Sequence, residues 1–400
     1  MSSQKPDSSN VPDSSLAMSD EQLRKTVIDQ AEVWVIKVGS RALTTPESRL
    51  DLQQIENLSN QLVDLVEQGK QVVLVSSGAV ASGVGRLGLP GRPRDLATLQ
   101  AVAAVGQAYL VQVYEECLTR RGHHAAQVLL TASDLDDRVR YLNVRNTLHS
   151  LHKLGAIPII NENDTVAVDE LKTTFGDNDR LAAMVAGLFT RPMLVILSDV
   201  RGLYDRDPID PTAEVIHTIP KVDSSVEDLV RDRKTGVSKG GMASKLAAAS
   251  FVTGSGQGVI IAWGREPRVL PRLADGELLG SLFLPQEKTL TPKKRWIGFS
   301  AQCAGSLVID AGAGRAMLEQ GKSLLPIGIR EVQGDFEKGD PISILSIDGA
   351  ELARGQSNYS SSDAKKIAGC RSDRIEEILG VCPYEEVVHR DNLVLSRAKT

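Results

Sequence analysis

The sequence contains little cysteine. The only cysteines in 400 residues are Cys117, Cys303, Cys370 and Cys382, and none belongs to a CxxC pair. This spacing excludes the usual zinc-binding motifs and gives no sign of a disulfide framework. It is typical of a protein of the reducing cytoplasm.

Excess positive charge and long apolar runs are also lacking. The formal net charge is −5, which argues against a dedicated nucleic-acid binder because affinity for phosphate comes mainly from Lys and Arg. No apolar run approaches the length that crosses a bilayer, so we expect no membrane-spanning segment. Residues 1–20 contain seven Ser and no Arg, which excludes a secretory or transit signal and predicts a disordered tail.

The common nucleotide-binding fingerprints are absent as well. No GxxxxGK[ST] sequence occurs, and no GxGxxG follows a predicted strand, so neither a P-loop nor a Rossmann fingerprint is present. If the protein binds ATP, it does so by combining lysines with glycine turns and acidic loops.

Apolar runs and helical periods do alternate along the chain. Val33–Val38 and Val72–Val75 predict buried strands on either side of a helix that Asp51 caps and Gly69 ends. This order is a βαβ unit, whose two strands are parallel. Further strands are predicted over Gln127–Leu130, Ile157–Ile160 and Met193–Leu197, and further helices from Asp95 to Arg121, from Asp134 to Leu154 and from Leu246 to Val252.

The stretch from Ile157 to Arg180 brings two polar clusters close together. Asn161–Asp164 follows a predicted strand, and Asp177–Asp179 opens the next apolar run. Asn and Asp are also the commonest turn residues, so one such cluster is usually only a loop. Because open parallel sheets bind ligands at the carboxyl ends of their strands, the two clusters together predict a polar ligand pocket.

Two lysines accompany small residues at similar places. Lys37 lies near the end of a strand and precedes Gly39 and Ser40, while Lys245 follows a glycine pair in the first turn of a predicted helix. Free backbone N–H groups and an ammonium can bind an anion there. The competing interpretations are an edge-strand lysine that reaches water and a solvent-exposed surface loop.

Taken in order, six segments resemble the glutamate 5-kinases of the amino acid kinase family over residues 31–283: WVIKVGS, VLVSSGAVASG, IPIINENDTVA, FGDNDRLAA, VILSDVRGLYDRDP and GGMASKLAAA. Residues 303–381 resemble a PUA domain. The resemblance implies a three-layer αβα sandwich around a mainly parallel sheet, followed by a small β-rich PUA barrel. It divides the chain into a tail (1–30), a kinase domain (31–284), a linker (285–302), the PUA domain (303–382) and a second tail (383–400).

The resemblance also implies the reaction, in which ATP phosphorylates the side-chain carboxylate of L-glutamate to give glutamyl 5-phosphate for proline synthesis. The implied catalytic residues are Lys37, Lys245 and Asp179. The implied glutamate-binding residues are Ser77, Gly78, Asp164, Asn178 and Asp177, with Ala79 shaping the pocket. The implied ATP-binding residues are Lys37, Gly39, Ser198, Asp199, Lys239, Gly240, Gly241, Met242, Ala243, Ser244 and Lys245, with Ser40 beside them.

Lys239 departs from the family pattern, because a threonine is expected at that position. The added charge either tightens phosphate binding or points to solvent. The family further implies Mg²⁺ with ATP, feedback inhibition by L-proline, a homodimer or homotetramer, and a reductase that receives the product. No metal ligand is assigned.

Two alternative functions remain open. The first is that of another kinase of the same family, which would act on N-acetylglutamate, aspartate, carbamate or UMP. Motifs around the phosphate do not separate these acceptors. PUA domains elsewhere often bind RNA, but residues 303–381 contain nine Lys and Arg against twelve Asp and Glu, which weakens a role in RNA binding.

Overall fold

An eight-stranded sheet forms the frame of the first domain. A computed structural model of the chain describes residues 19–45, 49–166, 177–231, 239–286, 294, 297–298 and 303–396, with the backbone alone at positions 132, 177, 231, 239 and 240. The strands are β1 (Val33–Val38), β2 (Gln71–Ser76), β3 (His124–Leu130), β4 (Ala156–Glu162), β5 (Pro192–Ser198), β6 (Thr218–Ile219), β7 (Gly258–Trp263) and β8 (Ser281–Phe283).

The sheet is mainly parallel, as predicted. Its strands lie in the order β3-β4-β2-β1-β5-β7-β8-β6. Among the described pairings of this sheet, β7 with β8 is antiparallel and the others are parallel. The carboxyl ends of β4, β2, β1 and β5 therefore meet along one edge.

Helices cover both faces of this sheet. They are α1 (Asp20–Asp29), α2 (Ser40–Leu43), α3 (Leu52–Glu67), α4 (Ala79–Arg86), α5 (Leu96–Thr119), α6 (Ala132–Asp136), α7 (Arg138–Lys153), α8 (Asp177–Gly187), α9 (Ser224–Arg231), α10 (Lys239–Gly254) and α11 (Val269–Ala274).

Alternation along β1 places its side chains in two separate cores. Val33 and Val35 join the core on the side of α7, α8, α9 and α10. Trp34 and Ile36 join the core on the side of α1, α3, α5 and α11. Period-two alternation buries both faces of a central parallel strand, and the three-layer αβα sandwich is confirmed.

The predicted disordered tail over residues 1–30 is wrong for Asp20–Asp29, which form α1. Ser19 Oγ accepts from the backbone N–H of Gln22 at 3.3 Å, and Gln22 Oε1 accepts from the Ser19 N–H at 3.2 Å. This capping box starts the helix, and burial of Ile28 and Arg24 attaches it to the domain.

Two predicted helices differ in their bounds. The helix expected from Asp134 to Leu154 is divided at Asp137, which is extended (φ −75°, ψ 128°) and accepts from the Arg140 N–H at 2.8 Å as the cap of α7. The helix expected from Leu246 already includes Lys239, so Lys245 lies in its second turn rather than its first. The good helix formers after the glycine pair favour this extension.

The expectation that no segment could span a bilayer is wrong by length and composition for α5. Its 24 residues are long and apolar enough to do so. In the structure, however, Leu110, Tyr114 and Leu118 of this helix are fully buried in the core shared with α3. Its apolar composition is accounted for by packing inside the domain.

The second domain contains its own sheet and core. Its elements are β9 (Gly305–Ile309), α12 (Ala311–Gln320), β10 (Ile329–Gly334), β11 (Pro341–Leu345), β12 (Glu351–Gln356), α13 (Ser361–Ile367), α14 (Ile375–Leu379) and β13 (Leu393–Leu395), and the strand order is β10-β9-β11-β12-β13. A β-rich C-terminal domain is confirmed. Because β13 pairs with β12, the predicted tail from residue 383 is wrong at that strand. Most of residues 285–302 lie outside the described residues, so the linker stays a prediction.

Candidate functional site

A buried carboxylate connects two buried ammonium groups at the edge of the sheet. Lys37 has the same parity as Val33 and Val35, so its side chain faces α8 and α10. Its Nζ lies 2.7 Å from Asp179 Oδ1, and Lys245 Nζ lies 3.1 Å from Asp179 Oδ2. Lys37 is 7% exposed, Lys245 8% and Asp179 1%. The three predicted catalytic residues thus form one array.

Further donors hold the array in place. Ser244 Oγ donates to Asp179 Oδ2 at 2.8 Å, and Lys245 Nζ also lies 3.0 Å from the Gly241 carbonyl oxygen. Burial alone would raise the pKa of Asp179, but the ammonium groups of Lys37 and Lys245 lower it below its usual value. One carboxylate facing two ammonium groups leaves an excess positive charge, which favours an anionic ligand.

Small and polar residues flank this array at the ends of β1 and β5. A Cβ at Gly39 would lie 3.5 Å from Lys37 Nζ, in ordinary van der Waals contact, so position 39 lies directly beside the ammonium group. Ser198 Oγ donates to Asp199 Oδ1 at 3.1 Å, and Arg41 Nη1 lies 2.9 Å from Asp199 Oδ2. Burial alone would raise the pKa of Asp199, but the Arg41 and Ser198 hydrogen bonds lower it.

Amides and a hydroxyl form a second group at the ends of β2 and β4. Asn178 Nδ2 donates to Ser77 Oγ at 2.8 Å and to Asn161 Oδ1 at 3.3 Å, and Asn161 Nδ2 donates to Gln107 Oε1 at 2.8 Å. Gly78 follows Ser77 with φ at +109°, a conformation that favours glycine. The backbone can therefore turn sharply from β2 into α4.

Buried carboxylates lie next to these amides. Asp164 and Glu162 are 7% and 8% exposed. Burial and then the charge of Glu162 raise the pKa of Asp164 to about 7, although Arg92 acts in the opposite direction. Asp164 Oδ1 has no hydrogen-bond partner in the described part of the chain. A cationic ligand such as a substrate ammonium group would supply one.

The remaining predicted ATP-binding residues lie on or beside α10. Gly241, Met242, Ala243 and Ser244 belong to this helix, as does the backbone of Lys239 and Gly240. Asp177 begins α8. The side chains of Lys239 and Asp177 lie outside the described residues, so their roles stay predictions.

Three residues that lie at the site have no individual role predicted from the sequence: Asn161, Gln107 and Arg41. Asn161 lies inside the polar cluster that drew attention to this region, so its signal was present. Gln107 and Arg41 belong to helices without a distinguishing motif, and only the tertiary structure places them near the strand ends.

The acidic residues fit a magnesium ion that arrives with a nucleotide. No group of three His, Cys, Asp or Glu side chains close enough to hold a metal occurs in the part of the chain that the structure describes. Mg²⁺ commonly binds through one or two carboxylates, waters and substrate phosphates. Asp179, within the array, and Asp199, directly after β5, suit that limited role.

Two family models match the chain. The amino acid kinase family matches residues 32–262, and the PUA domain matches residues 305–379. Glutamate 5-kinase of Rhodopirellula baltica is 50% identical over 377 residues, which cover 94% of this chain and 97% of that protein. Glutamate 5-kinase of a Polaromonas species is 47% identical over 378 residues, which cover 94% of this chain and all of that protein.

Solved structures also align with the chain. UMP kinase from Bacillus anthracis covers 65% of this chain and 98% of its own, with 15% identity and a TM-score of 0.43. Carbamate kinase from Giardia lamblia covers 64% of this chain and 99% of its own, with 17% identity and a TM-score of 0.46.

Proposed function

This chain belongs to the amino acid kinase family and within it to the glutamate 5-kinases, and we propose that the site at the sheet edge transfers the γ-phosphoryl group of ATP to the side-chain carboxylate of L-glutamate. The observation that carries the proposal is the array in which Lys37 and Lys245 share the buried carboxylate of Asp179. Phosphoryl transfer needs mainly positioning and cancellation of charge, and this array supplies both.

Each part of the array has a distinct role. The ammonium groups of Lys37 and Lys245 stabilise the negative charge on the phosphoryl oxygens as it moves toward the acceptor. The lowered pKa of Asp179 makes it a poor proton acceptor, and it orients the two lysines instead. Gly39, Ser198, Asp199 and the α10 segment from Gly241 to Lys245 border the nucleotide.

Substrate orientation follows from strand order. Lys37 lies near the end of β1 and Lys245 in the second turn of α10. Ser77, Asn178 and Asp164 lie toward β2 and β4, the next strands along the sheet. The γ-carboxylate of glutamate therefore faces the lysines. Its ammonium group faces Asp164, and its α-carboxylate faces the hydroxyl and amide donors, which bind an anion without a repelling charge.

Mg²⁺ would enter this site on the phosphates of ATP, where Asp179 and Asp199 are the nearest carboxylates of the array and its border. When bound, it would neutralise phosphate charge in addition to the two lysines. Positioning of the substrate groups remains the task of the protein side chains.

Regulation and assembly extend the proposal. L-proline carries an ammonium group and a carboxylate, as glutamate does, so it should compete for Asp164 and Ser77. It should then raise the apparent KM for glutamate, and purely noncompetitive inhibition at every glutamate concentration would contradict this overlap.

We also propose a homodimer or homotetramer in the cytoplasm and a reductase that consumes the acyl phosphate. Light scattering on the purified protein measures the oligomer.

The primary test is ATP turnover with Mg²⁺ in the presence of hydroxylamine. L-glutamate is compared with N-acetylglutamate, aspartate, carbamate and UMP. Glutamate-dependent ADP release with a hydroxamate product is the expected result. Turnover on a different acceptor would retain the phosphate chemistry but refute the assigned glutamate pocket.

A further inference from the structure

Four buried polar side chains form a hydrogen-bonded row behind the glutamate pocket. The row runs from Gln107 through Asn161 and Asn178 to Ser77, with contacts of 2.8, 3.3 and 2.8 Å. Each of the four residues is at most 7% exposed. Buried amides at this density need defined partners.

One backbone group fixes the direction of the row. The Glu162 N–H donates to Asn161 Oδ1 at 2.9 Å, so that atom must be the amide oxygen and Asn161 Nδ2 must face Gln107. Gln107 then has to present Oε1 to Asn161, because two amide nitrogens cannot bond to each other. The oxygen and nitrogen of these side chains are thereby assigned by the network.

This assignment directs the Gln107 nitrogen away from the row. Gln107 Nε2 is buried and has no hydrogen-bond acceptor among the residues that the structure describes. A buried N–H without an acceptor is costly, so an acceptor from a ligand is the simplest way to satisfy it. At the other end, Ser77 Oγ accepts from Asn178, which leaves the Ser77 hydroxyl hydrogen to donate elsewhere.

Close helix packing holds Gln107 at this position. A Cβ at Gly106 would lie 1.8 Å from the Ala79 carbonyl oxygen, and a Cβ at Gly83 would lie 2.0 Å from the Val102 carbonyl oxygen. The backbones of α4 and α5 therefore touch next to the end of β2. The residue after Gly106 therefore lies where α5 packs against the start of α4.

We propose that Gln107 Nε2 donates a hydrogen bond to the α-carboxylate of bound L-glutamate. The inference rests on the proposed function and adds a specificity-determining residue to it. The α-carboxylate is the group concerned because Gln107 reaches Asn161 on β4, two strands from β1, whereas the γ-carboxylate must lie beside Lys37 on β1.

The decisive experiment pairs a protein variant with a substrate variant. Gln107→Glu keeps an acceptor for Asn161 but replaces the Nε2 donor by a negatively charged oxygen. The KM for L-glutamate should rise about 10- to 100-fold, as expected for a lost hydrogen bond to a charged group, with the KM for ATP nearly unchanged. Gln112→Glu on the exposed side of the same helix, whose partner is Glu116, is the matched control and should show no such rise.

The α-amide of L-glutamate distinguishes contact from indirect support. If Gln107 touches the α-carboxylate, the preference of the enzyme for glutamate over its α-amide should fall about 10-fold or more in Gln107→Glu, because an amide can donate to the new carboxylate. If the preference is unchanged and the KM rises equally for both substrates, the proposal is overturned and Gln107 only supports Asn161.

A second variant distinguishes loss of the donor from misfolding caused by a buried charge. Gln107→Met introduces no buried charge and should also raise the KM for glutamate more than that for its α-amide, with thermal unfolding measured alongside. If either variant keeps wild-type KM values for both glutamate and its α-amide, the inference is refuted. If the wild-type protein itself yields no glutamyl hydroxamate, the proposed function fails, and the outcome is separate because it needs no variant.

Discussion

The ion-paired array makes a quantitative prediction for Asp179→Asn. The substitution removes one negative charge from a carboxylate that is 1% exposed and 2.7 and 3.1 Å from two ammonium groups. Breaking a buried ion pair by removing one partner costs about 3–5 kcal/mol. In a domain of about 250 residues this corresponds to a melting temperature lower by roughly 6–20 °C.

The pH dependence of this loss has a defined sign. Because the pKa of Asp179 is lowered in the folded protein, its contribution is present above the ordinary pKa of an aspartate, about 3.9. It is lost as the pH falls through the lower folded value. The difference in unfolding free energy between wild type and variant should therefore be constant from pH 6 to 8 and should shrink only below about pH 4.

The kcat of Asp179→Asn should fall by more than the loss of folded protein accounts for. Without the carboxylate the two lysines repel each other and leave their positions, and displacement of catalytic groups by about 1 Å can cost about 100-fold in rate. The assay is kcat for hydroxamate formation at a temperature where the variant is folded, together with urea unfolding monitored by circular dichroism.

An exposed pair supplies the control. Glu56→Gln makes the same carboxylate-to-amide change in a 2.7 Å contact with Arg120, where the side chains are 39% and 64% exposed. It should cost no more than about 1 kcal/mol. If Asp179→Asn is as mild as Glu56→Gln, or keeps more than about a third of wild-type kcat, the proposed role of Asp179 is wrong.

Three further predictions concern other parts of the same edge. The raised pKa of Asp164 means that the free protein protonates this carboxylate below about pH 7, so the KM for glutamate should rise up to about tenfold per pH unit as the pH falls below 7. Asp164→Asn should raise that KM and abolish its pH dependence; a wild-type profile that is flat from pH 6 to 8 would contradict the assignment. Lys245→Met removes one of two ammonium groups and should lower kcat about 100- to 1,000-fold with little change in the KM for glutamate. Gly106→Ala would force a methyl group to 1.8 Å from the Ala79 carbonyl oxygen and should lower the unfolding free energy by about 1–3 kcal/mol or more.

Matched variants test the specificity of the last two. Lys25→Met removes a lysine from an exposed pair with Asp29 and should leave kcat unchanged, so a comparable loss would show that the Lys245 effect is not local. A Cβ at Gly85 in α4 meets nothing closer than 3.8 Å, so Gly85→Ala should be neutral or stabilising by up to about 1 kcal/mol. Equal destabilisation by Gly85→Ala and Gly106→Ala would refute the close packing of α4 and α5.

The part of the site that the sequence predicts is the part that strand geometry determines. Parallel strands end at one edge, so polar residues at the ends of apolar strands converge there. Ser77 and the cluster from Asn161 to Asp164 follow predicted strands in this way, and Lys37 lies near the end of one. Asn178 opens a helix, and its binding role was implied by the family resemblance. Gln107 could not be found by that reasoning, because its position depends on a backbone contact between two helices. A helical glutamine has no local signal for a role in binding.

The same distinction explains the errors in the fold. The disordered tail was inferred from the composition of residues 1–20, but Ser19 and Gln22 form a capping box whose spacing is visible in the sequence. The break at Asp137 was hidden because Asp is tolerated in a helix and caps one equally well. The strand β13 is only three residues long, and such a strand forms only because a neighbour supplies its partner, which local pattern cannot show.

The arrangement along the sheet edge also explains why a small acceptor substrate must carry suitable charged groups at both of its ends. Adjacent strands lie about 4.8 Å apart, so β1 and β4 are about 10 Å apart across β2. A five-carbon amino acid and the side chains that reach toward it can span this gap together. In the proposed orientation, the lysines attract the carboxylate that is to be phosphorylated, while Asp164 and Ser77 hold the ammonium and the second carboxylate at the far end. A ligand without the distal charges would leave Asp164 buried beside Glu162 without a cation. The proposed orientation therefore predicts that selectivity for a free amino acid arises from groups that take no part in the chemistry.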